Sequence, residues 1–280
     1  MKQDVYTLLC ERDMGMALVT LPRVIGFLGQ DQRLIVMDDG SLTEKSASIV
    51  KSLSDKVEVI GRKEREDMIL SEISGFPHCM KFREEYAPAF KLIDIPILAG
   101  KEERTRFCYT DSDIIYLRNC EDYFRRDVNT YLRTDGIKIS VKLSKVFFKY
   151  KWSIPYKFNS GYFSYDCSGY DLDLIEYFVS RPDVRNVPWV IEQTGWGLVF
   201  GASGPFYSPN EDQFVCREQF EGPKPDTLAI HLIANLKGKV DEWANTPQQQ
   251  EAAATPDFQL SRSVSFFDWA KKSAKRVLPL

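Results

Sequence analysis

The sequence predicts a single α/β domain with a mixed, mainly parallel central sheet flanked by helices. Short apolar runs rich in Val, Ile and Leu alternate with stretches of helical length, a spacing that right-handed strand–helix–strand crossovers require. The bulk composition agrees. A chain of 280 residues, 44% hydrophobic and 13% aromatic, can bury a sizeable core and does not have the make-up of a disordered protein.

Val5–Leu9 reads as a buried strand, and Ala17–Leu28 as a helix, continuous past Pro22 or split there into two pieces. Arg33–Met37 is the second strand. Ser41-Leu42-Thr43-Glu44 has the S-x-x-E form of a capping box and opens a helix reaching Leu53, with Ser41 as its cap. Val57–Ile60 is the third strand, ended by Gly61. A charged helix follows at Glu64–Ile73, then a more apolar one over Ala87–Leu98, broken by Pro96. Arg106–Thr110 is a buried strand that stops abruptly at two acids. The second half is less regular: a strand at Gly161–Tyr165, helices near Leu172–Ser180 and Glu192–Phe200, and a strand at Leu228–Leu232. Thr246–Ser265, rich in Gln, Ala, Ser and Thr, reads as a linker or mobile loop. The expected division is therefore a domain over 1–245, then a linker and an amphipathic basic helix over 246–280.

The net charge of -3 supplies no overall attraction for nucleic acid, local basic patches aside, and no nucleic-acid partner is expected. Six scattered cysteines with no C-x-x-C pair indicate reduced thiols and a cytoplasmic address. The N-terminal apolar stretch is too short, and interrupted by Asp4, for a signal peptide or membrane anchor.

Five segments carry candidate chemistry. Asp111-Ser112-Asp113 places two hard oxygen donors at a strand end, suited to Mn²⁺ or Mg²⁺ carrying a diphosphate, although two acids there also make a solvated turn. Asp38-Asp39-Gly40-Ser41 follows another strand, where open α/β sheets bind ligands; Asp38 and Asp39 can accept from a base N–H or a ribose hydroxyl, or simply form a turn. Asn159-Ser160-Gly161 precedes a strand, with an amide for hydroxyls and a glycine that lets a ligand approach the backbone. Glu192-Gln193 lies near a helix start, a position the helix dipole alone would explain. His231 closes a short strand, with Lys237 and Lys239 soon after. His78 has no partner pattern and receives no role.

Taken in order, these segments resemble nucleotide-sugar-dependent glycosyltransferases of the GT-A, Rossmann-like fold. Tyr109–Tyr116 is similar to their D-x-D segment. Asp38-Asp39-Gly40-Ser41 resembles the base-holding segment of inverting members. Phe158-Asn159-Ser160-Gly161, Glu192-Gln193 and the His231…Lys pair look like elements of a retaining family that includes lipopolysaccharide galactosyltransferases and glycogenin. The C-terminal element is shortened here: no Pro-Trp follows the lysine, and Trp243 is only nearby.

The resemblance implies a metal held by Asp111, Asp113 and His231, with Asp111 shared with the ribose and Ser112 and Asn159 among the donor contacts. It places Lys237 or Lys239 on the diphosphate, Gln193 near the anomeric carbon, and Glu192 as a sugar contact or acid/base group. It implies a nucleoside-diphosphate sugar donor, by preference a UDP-sugar, and a glycan or lipid-linked acceptor. Retention is favoured; inversion would use Glu192, or Asp166 as second candidate, as base. A nucleotide-sugar-binding protein without turnover is the non-enzymatic alternative. A sugar nucleotidyltransferase would need a glycine-rich loop after its first strand, where Cys10-Glu11-Arg12-Asp13-Met14-Gly15 has one glycine. The lysines between Lys138 and Lys157 suggest an acidic-acceptor surface or an ordinary solvated face, and the aromatic-then-basic tail from Phe266 suggests peripheral membrane contact or a docked helix.

Overall fold

The computed structural model describes residues 3–101, 106–184, 187–217, 219–244, 256–265 and 267–268. Strands β1 (Asp4–Leu9), β2 (Leu34–Asp38) and β3 (Val57–Ile60) pair in parallel. Helices α1 (Met14–Phe27) and α2 (Glu44–Lys51) connect them. The strands are apolar on alternate residues of both faces because both faces are covered. Tyr6, Ile35 and Met37 enter one core layer; Val5, Leu9, Leu34 and Val36 enter the opposite one.

Helices α3 (Arg62–Ile73), α4 (Pro77–Glu85), α5 (Pro88–Leu92) and α6 (Asp94–Lys101) lead to β4 (Arg106–Thr110), which pairs in parallel with the free side of β1. After β5 (Ile114–Tyr116) and β6 (Thr130–Arg133), a short helix α7 (Leu143–Lys145) runs into a π-turn at Val146–Tyr150. The long strand β7 (Phe158–Asp166) then inserts antiparallel between β4 and β6. Helices α8 (Leu172–Val179) and α9 (Pro188–Ser203) precede β8 (Tyr207–Pro209), β9 (Phe214–Val215), β10 (Ala229–His231), α10 (Val240–Ala244) and β11 (Phe258–Leu260). The main sheet runs β11-β8-β6-β7-β4-β1-β2-β3, and a second sheet runs β5-β10-β9. In the main sheet β1–β2, β2–β3, β1–β4 and β6–β8 are parallel and the other pairs antiparallel, so the sheet is mixed and mainly parallel.

Several local expectations change. Helix α1 passes through Pro22 unbroken. Helix α2 is capped by Thr43, whose hydroxyl accepts from Ser46 N; Ser41 is instead drawn into the preceding turn by Asp39. The apolar helix breaks at Ile93, not Pro96, since Pro96 falls in the first turn of α6, where a missing N–H costs little. Helix α9 starts at Pro188, so Glu192 lies in its second turn, beyond the reach of the dipole explanation. Within the expected linker, residues 258–260 form an edge strand on β8, and Pro155 bridges to Ser263. The expected tail helix lies outside the described residues. All six cysteines are unpaired, and among the described residues no helix is long and apolar enough to cross a membrane.

Candidate active site

The end of β4 is where both sheets meet. Asp111 N donates to Gly161 O at 2.7 Å, the last rung of the β4–β7 pairing. The chain then leaves the main sheet through Ser112 and Asp113 and enters β5 of the second. There β10 pairs antiparallel with β5, His231 opposite Ile114, and Leu232 N donates to Asp113 O at 2.8 Å. This register delivers His231 to two acids far away in sequence.

His231 Nε2 lies 3.0 Å from Asp113 Oδ1 and 3.5 Å from Asp111 Oδ2. One ligand atom from each of the three residues falls within 4.8 Å of the others. The remaining atoms are oriented by neighbours. Asp111 Oδ1 accepts from Tyr109 Oη at 2.6 Å and from Lys91 Nζ at 3.1 Å, and Lys237 Nζ is 2.8 Å from Asp113 Oδ2. Cys216 Sγ is 3.5 Å from His231 Nδ1, behind the ring. Gly161 leaves room for that ring: a Cβ there would sit 2.5 Å from His231 Cε1.

The set fits a divalent metal. Two carboxylates and an imidazole are its normal donors, and the buried Asp113 Oδ1 receives no hydrogen bond although His231 lies beside it. Asp113 favours the charged form of the His231 imidazole beside it. Burial pushes His231 down, but the Asp113 charge outweighs it and leaves the pKa well above the ordinary value. Burial likewise opposes ionisation of Asp113, and His231 and Lys237 outweigh it, holding its carboxyl low.

A cleft of about 460 Å³ runs from this cluster to α9. Its inner wall is a buried ionic network. Lys91 Nζ is 3.6 Å from Glu192 Oε1 and 3.3 Å from Ser160 Oγ, while Ser160 Oγ donates to Glu192 Oε2 at 2.9 Å. Burial pushes the Glu192 carboxyl up to about 7; Lys91 opposes the rise and Asp111 adds to it. Asn159 Nδ2 donates to Gln193 Oε1 at 3.3 Å, and Gln193 Nε2 donates to Lys138 O at 2.9 Å, so both amides are held in one orientation.

Of the residues singled out in the sequence, the structure brings Asp111, Asp113, Asn159, Glu192, Gln193, His231 and Lys237 to one cleft. Lys239 is not among its lining and pairs with Glu242 at 3.4 Å. Ser112 is buried, and its carbonyl accepts from Thr20 Oγ1 at 2.7 Å. Asp38 and Asp39 stand outside the cleft lining. Asp38 Oδ1 accepts from Gly40 N at 2.7 Å and Leu42 N at 3.0 Å, Asp39 Oδ1 accepts from Ser41 N at 2.9 Å, and Gly40 takes φ +101°. Asp166 is opposite Arg106, at the far end of the strands, and lies 3.6 Å from its guanidinium; it does not reach the cleft. The lysine run is partly neutralised, with Lys145 and Lys149 on Asp183 and Lys157 on Glu211.

Sequence reading missed Lys91, Thr134 and Trp189, which line the cleft, whereas Lys138, from the expected lysine surface, does reach it. Only Lys91 carried a signal: it is a single cation inside the apolar run Ala89-Phe90-Lys91-Leu92-Ile93 and is 5% exposed.

No protein-family model matches the chain, and no curated protein matches it in sequence. Solved structures do match. The galactosyltransferase LgtC, in complex with donor and acceptor sugar analogues, superposes with TM-score 0.52 at 13% identity over 86% of this chain and 95% of that one. The glycosyltransferase GlyE of Streptococcus pneumoniae TIGR4 gives 0.52 at 12% identity, over 88% of this chain and 62% of its own. The bifunctional glycosyltransferase WbbM gives 0.55 at 9% identity, over 87% and 50%. With its strand order and the acids closing β4, the chain has the fold of the GT-A glycosyltransferases.

Proposed function

We propose that this protein is a metal-dependent glycosyltransferase. It moves a sugar from a nucleoside-diphosphate donor, by preference a UDP-sugar, to a hydroxyl of a glycan or lipid-linked acceptor, with retention. A role in polysaccharide biosynthesis in the cytoplasm, and peripheral membrane contact through the segment after Ser265, belong to the same proposal. The observation that carries it is the meeting of Asp111, Asp113 and His231 with Lys237, Glu192 and Gln193 in one cleft.

Asp111, Asp113 and His231 would hold Mn²⁺ or Mg²⁺, which when bound supplies Lewis-acid stabilisation of the charge on a departing diphosphate. Lys237 adds a fixed positive charge at the same place, already held by Asp113. Lys91 keeps Asp111 and Glu192 from repelling each other, and so preserves a negative wall where oxocarbenium character develops. Asn159 and Gln193, each held by the other, present fixed dipoles to the donor sugar.

Retention is favoured by how the carboxylates are used. Among the described lining residues the acids are Asp111, Asp113 and Glu192; two belong to the metal cluster, and Glu192 is engaged by Lys91 and Ser160. A departing diphosphate oxygen on the same face would then take the acceptor proton. Inversion has one observation in its favour, the Glu192 carboxyl raised to about 7, a value suited to a general base.

The test is a thermal-shift panel of UDP, GDP, CDP and dTDP with and without Mn²⁺, followed by NMR of the product's anomeric configuration. A metal-dependent shift with one nucleotide and a retained configuration support the reading. An inverted product transfers the base role to Glu192. A nucleotide shift with no donor hydrolysis in Mn²⁺ makes the protein a binder, and no shift at all removes the proposal.

A further inference from the structure

We infer that Trp189 is a stacking platform for a pyranose ring of the acceptor, which makes the group receiving the sugar a carbohydrate hydroxyl. The inference rests on the glycosyltransferase reading above and narrows its acceptor class.

Trp189 lies in the first turn of α9, three and four residues before Glu192 and Gln193. That spacing puts the three on one helix face, with Cβ atoms about 5–6 Å apart, and all three line the same cleft. Trp189 is 49% exposed, whereas Trp196 and Trp243 are buried at 0% and 3%. The largest apolar side chain is thus left half in water at the rim of a polar cleft, next to the residues nearest the proposed reacting carbon. Because Trp189 lines the cleft, that free face is open to a ligand bound there.

The chemistry of that face selects the occupant. An indole has a negative π-face and donates at its edge, so it attracts the polarised C–H groups on the flat side of a sugar ring. A sugar ring also needs polar partners at its rim, and Thr134 and Lys138 line the same cleft. A lipid tail would need a continuous apolar groove; Ile233 is the other large apolar side chain among the described lining residues. With a diphosphate at Asp113 and Lys237 and the donor sugar against Lys91 and Glu192, the next position outward along α9 is Trp189. An acceptor ring stacked there would point a hydroxyl inward.

The experiment compares wild type with Trp189→Ala and Trp189→Phe. Probes are methyl glycosides of glucose, galactose, mannose and N-acetylglucosamine as acceptors, UDP-glucose and UDP-galactose as donors, and UDP with Mn²⁺ for the thermal shift. We expect the best glycoside's KM to rise about tenfold in Trp189→Ala, the scale of one lost aromatic contact, with Trp189→Phe in between and kcat changed far less. The UDP–Mn²⁺ shift should persist in both variants, which also shows that they fold. An unchanged acceptor KM overturns the inference, as does a UDP shift lost in a folded Trp189→Ala, which would assign the indole to the nucleotide. Donor hydrolysis by wild type with no glycoside accepted also overturns it. Absence of both hydrolysis and nucleotide shift in wild type instead removes the underlying glycosyltransferase reading.

Discussion

Lys91 Nζ sits 3.1 Å from Asp111 Oδ1, so a buried cation reaches from the helical layer to the acid that closes β4. The same nitrogen is 3.6 Å from Glu192 and 4.3 Å from the centre of the Tyr109 ring. Lys91 therefore holds two carboxylates in one wall of the cleft.

Removing that cation leaves Glu192 and Asp111 facing each other in a low-dielectric site. Lys91→Met should lower unfolding free energy by about 3 kcal/mol, the usual scale for breaking a buried ion pair from one side. Adding Glu192→Gln should restore more than half of the loss, because the uncompensated charge goes with it. Urea denaturation of the two single variants and the double variant measures the coupling; additive losses would contradict it.

Gly161 is required by the ring it faces. In Gly161→Ala the new methyl would collide with His231 Cε1 and Nδ1, at 2.5 and 2.6 Å. His231 is buried against Cys216 and cannot swing away freely. We expect a stability loss of about 1–3 kcal/mol, the range for overpacking, and a loss of Mn²⁺ affinity measured by calorimetry. Mn²⁺ binding as tight as wild type would show that the cluster does not depend on this packing.

On the proposed reading, proton and metal compete for His231. Its pKa lies above the ordinary value because Asp113 outweighs burial, so the metal-free pair stabilises the fold below about pH 6.5, and that contribution is lost as pH rises through the folded pKa. A metal ligand must be neutral, so Mn²⁺ affinity should change in the opposite sense and rise with pH, with release of about one proton per ion on the acid side. Titration calorimetry in buffers of different ionisation enthalpy reads the proton directly. No proton release, or the same release from His231→Asn, would remove His231 from the metal.

The Asp38–Ser41 turn is expected to act as structure. Asp38→Ala deletes acceptors for Gly40 N and Leu42 N and should cost about 1 kcal/mol for the lost hydrogen bonding. The nucleotide-dependent thermal shift should survive, whereas Asp113→Ala should abolish it. A shift lost in a folded Asp38→Ala would return the turn to the base-binding role expected from sequence.

Much of the frame was legible because it is local. The Val5–Leu9, Arg33–Met37, Val57–Ile60 and Arg106–Thr110 strands are short apolar runs buried on both faces, and their boundaries held within a residue or so. Other short elements, β5, β6, β8 and β9, two to four residues long, were not read from the sequence. The capping box misled because Ser41 and Thr43 are both good caps, and contacts made by Glu11 and Asp39 decided between them.

The chemical vocabulary of the candidate site is written in the chain: two acids at a strand end, an Asn-Ser-Gly entry to β7, an acid–amide pair on a helix, and a histidine followed by lysines. Which of these come together is settled only in the folded chain. The β10–β5 register joined His231 to Asp113, β7 placed Asn159 and Asp166 at opposite ends of one strand, and the packing of α5 beside α9 buried Lys91 between two carboxylates. Residue types and spacings are written in the chain, but contacts between distant segments depend on strand order and layer packing, which hydrophobic periodicity does not specify.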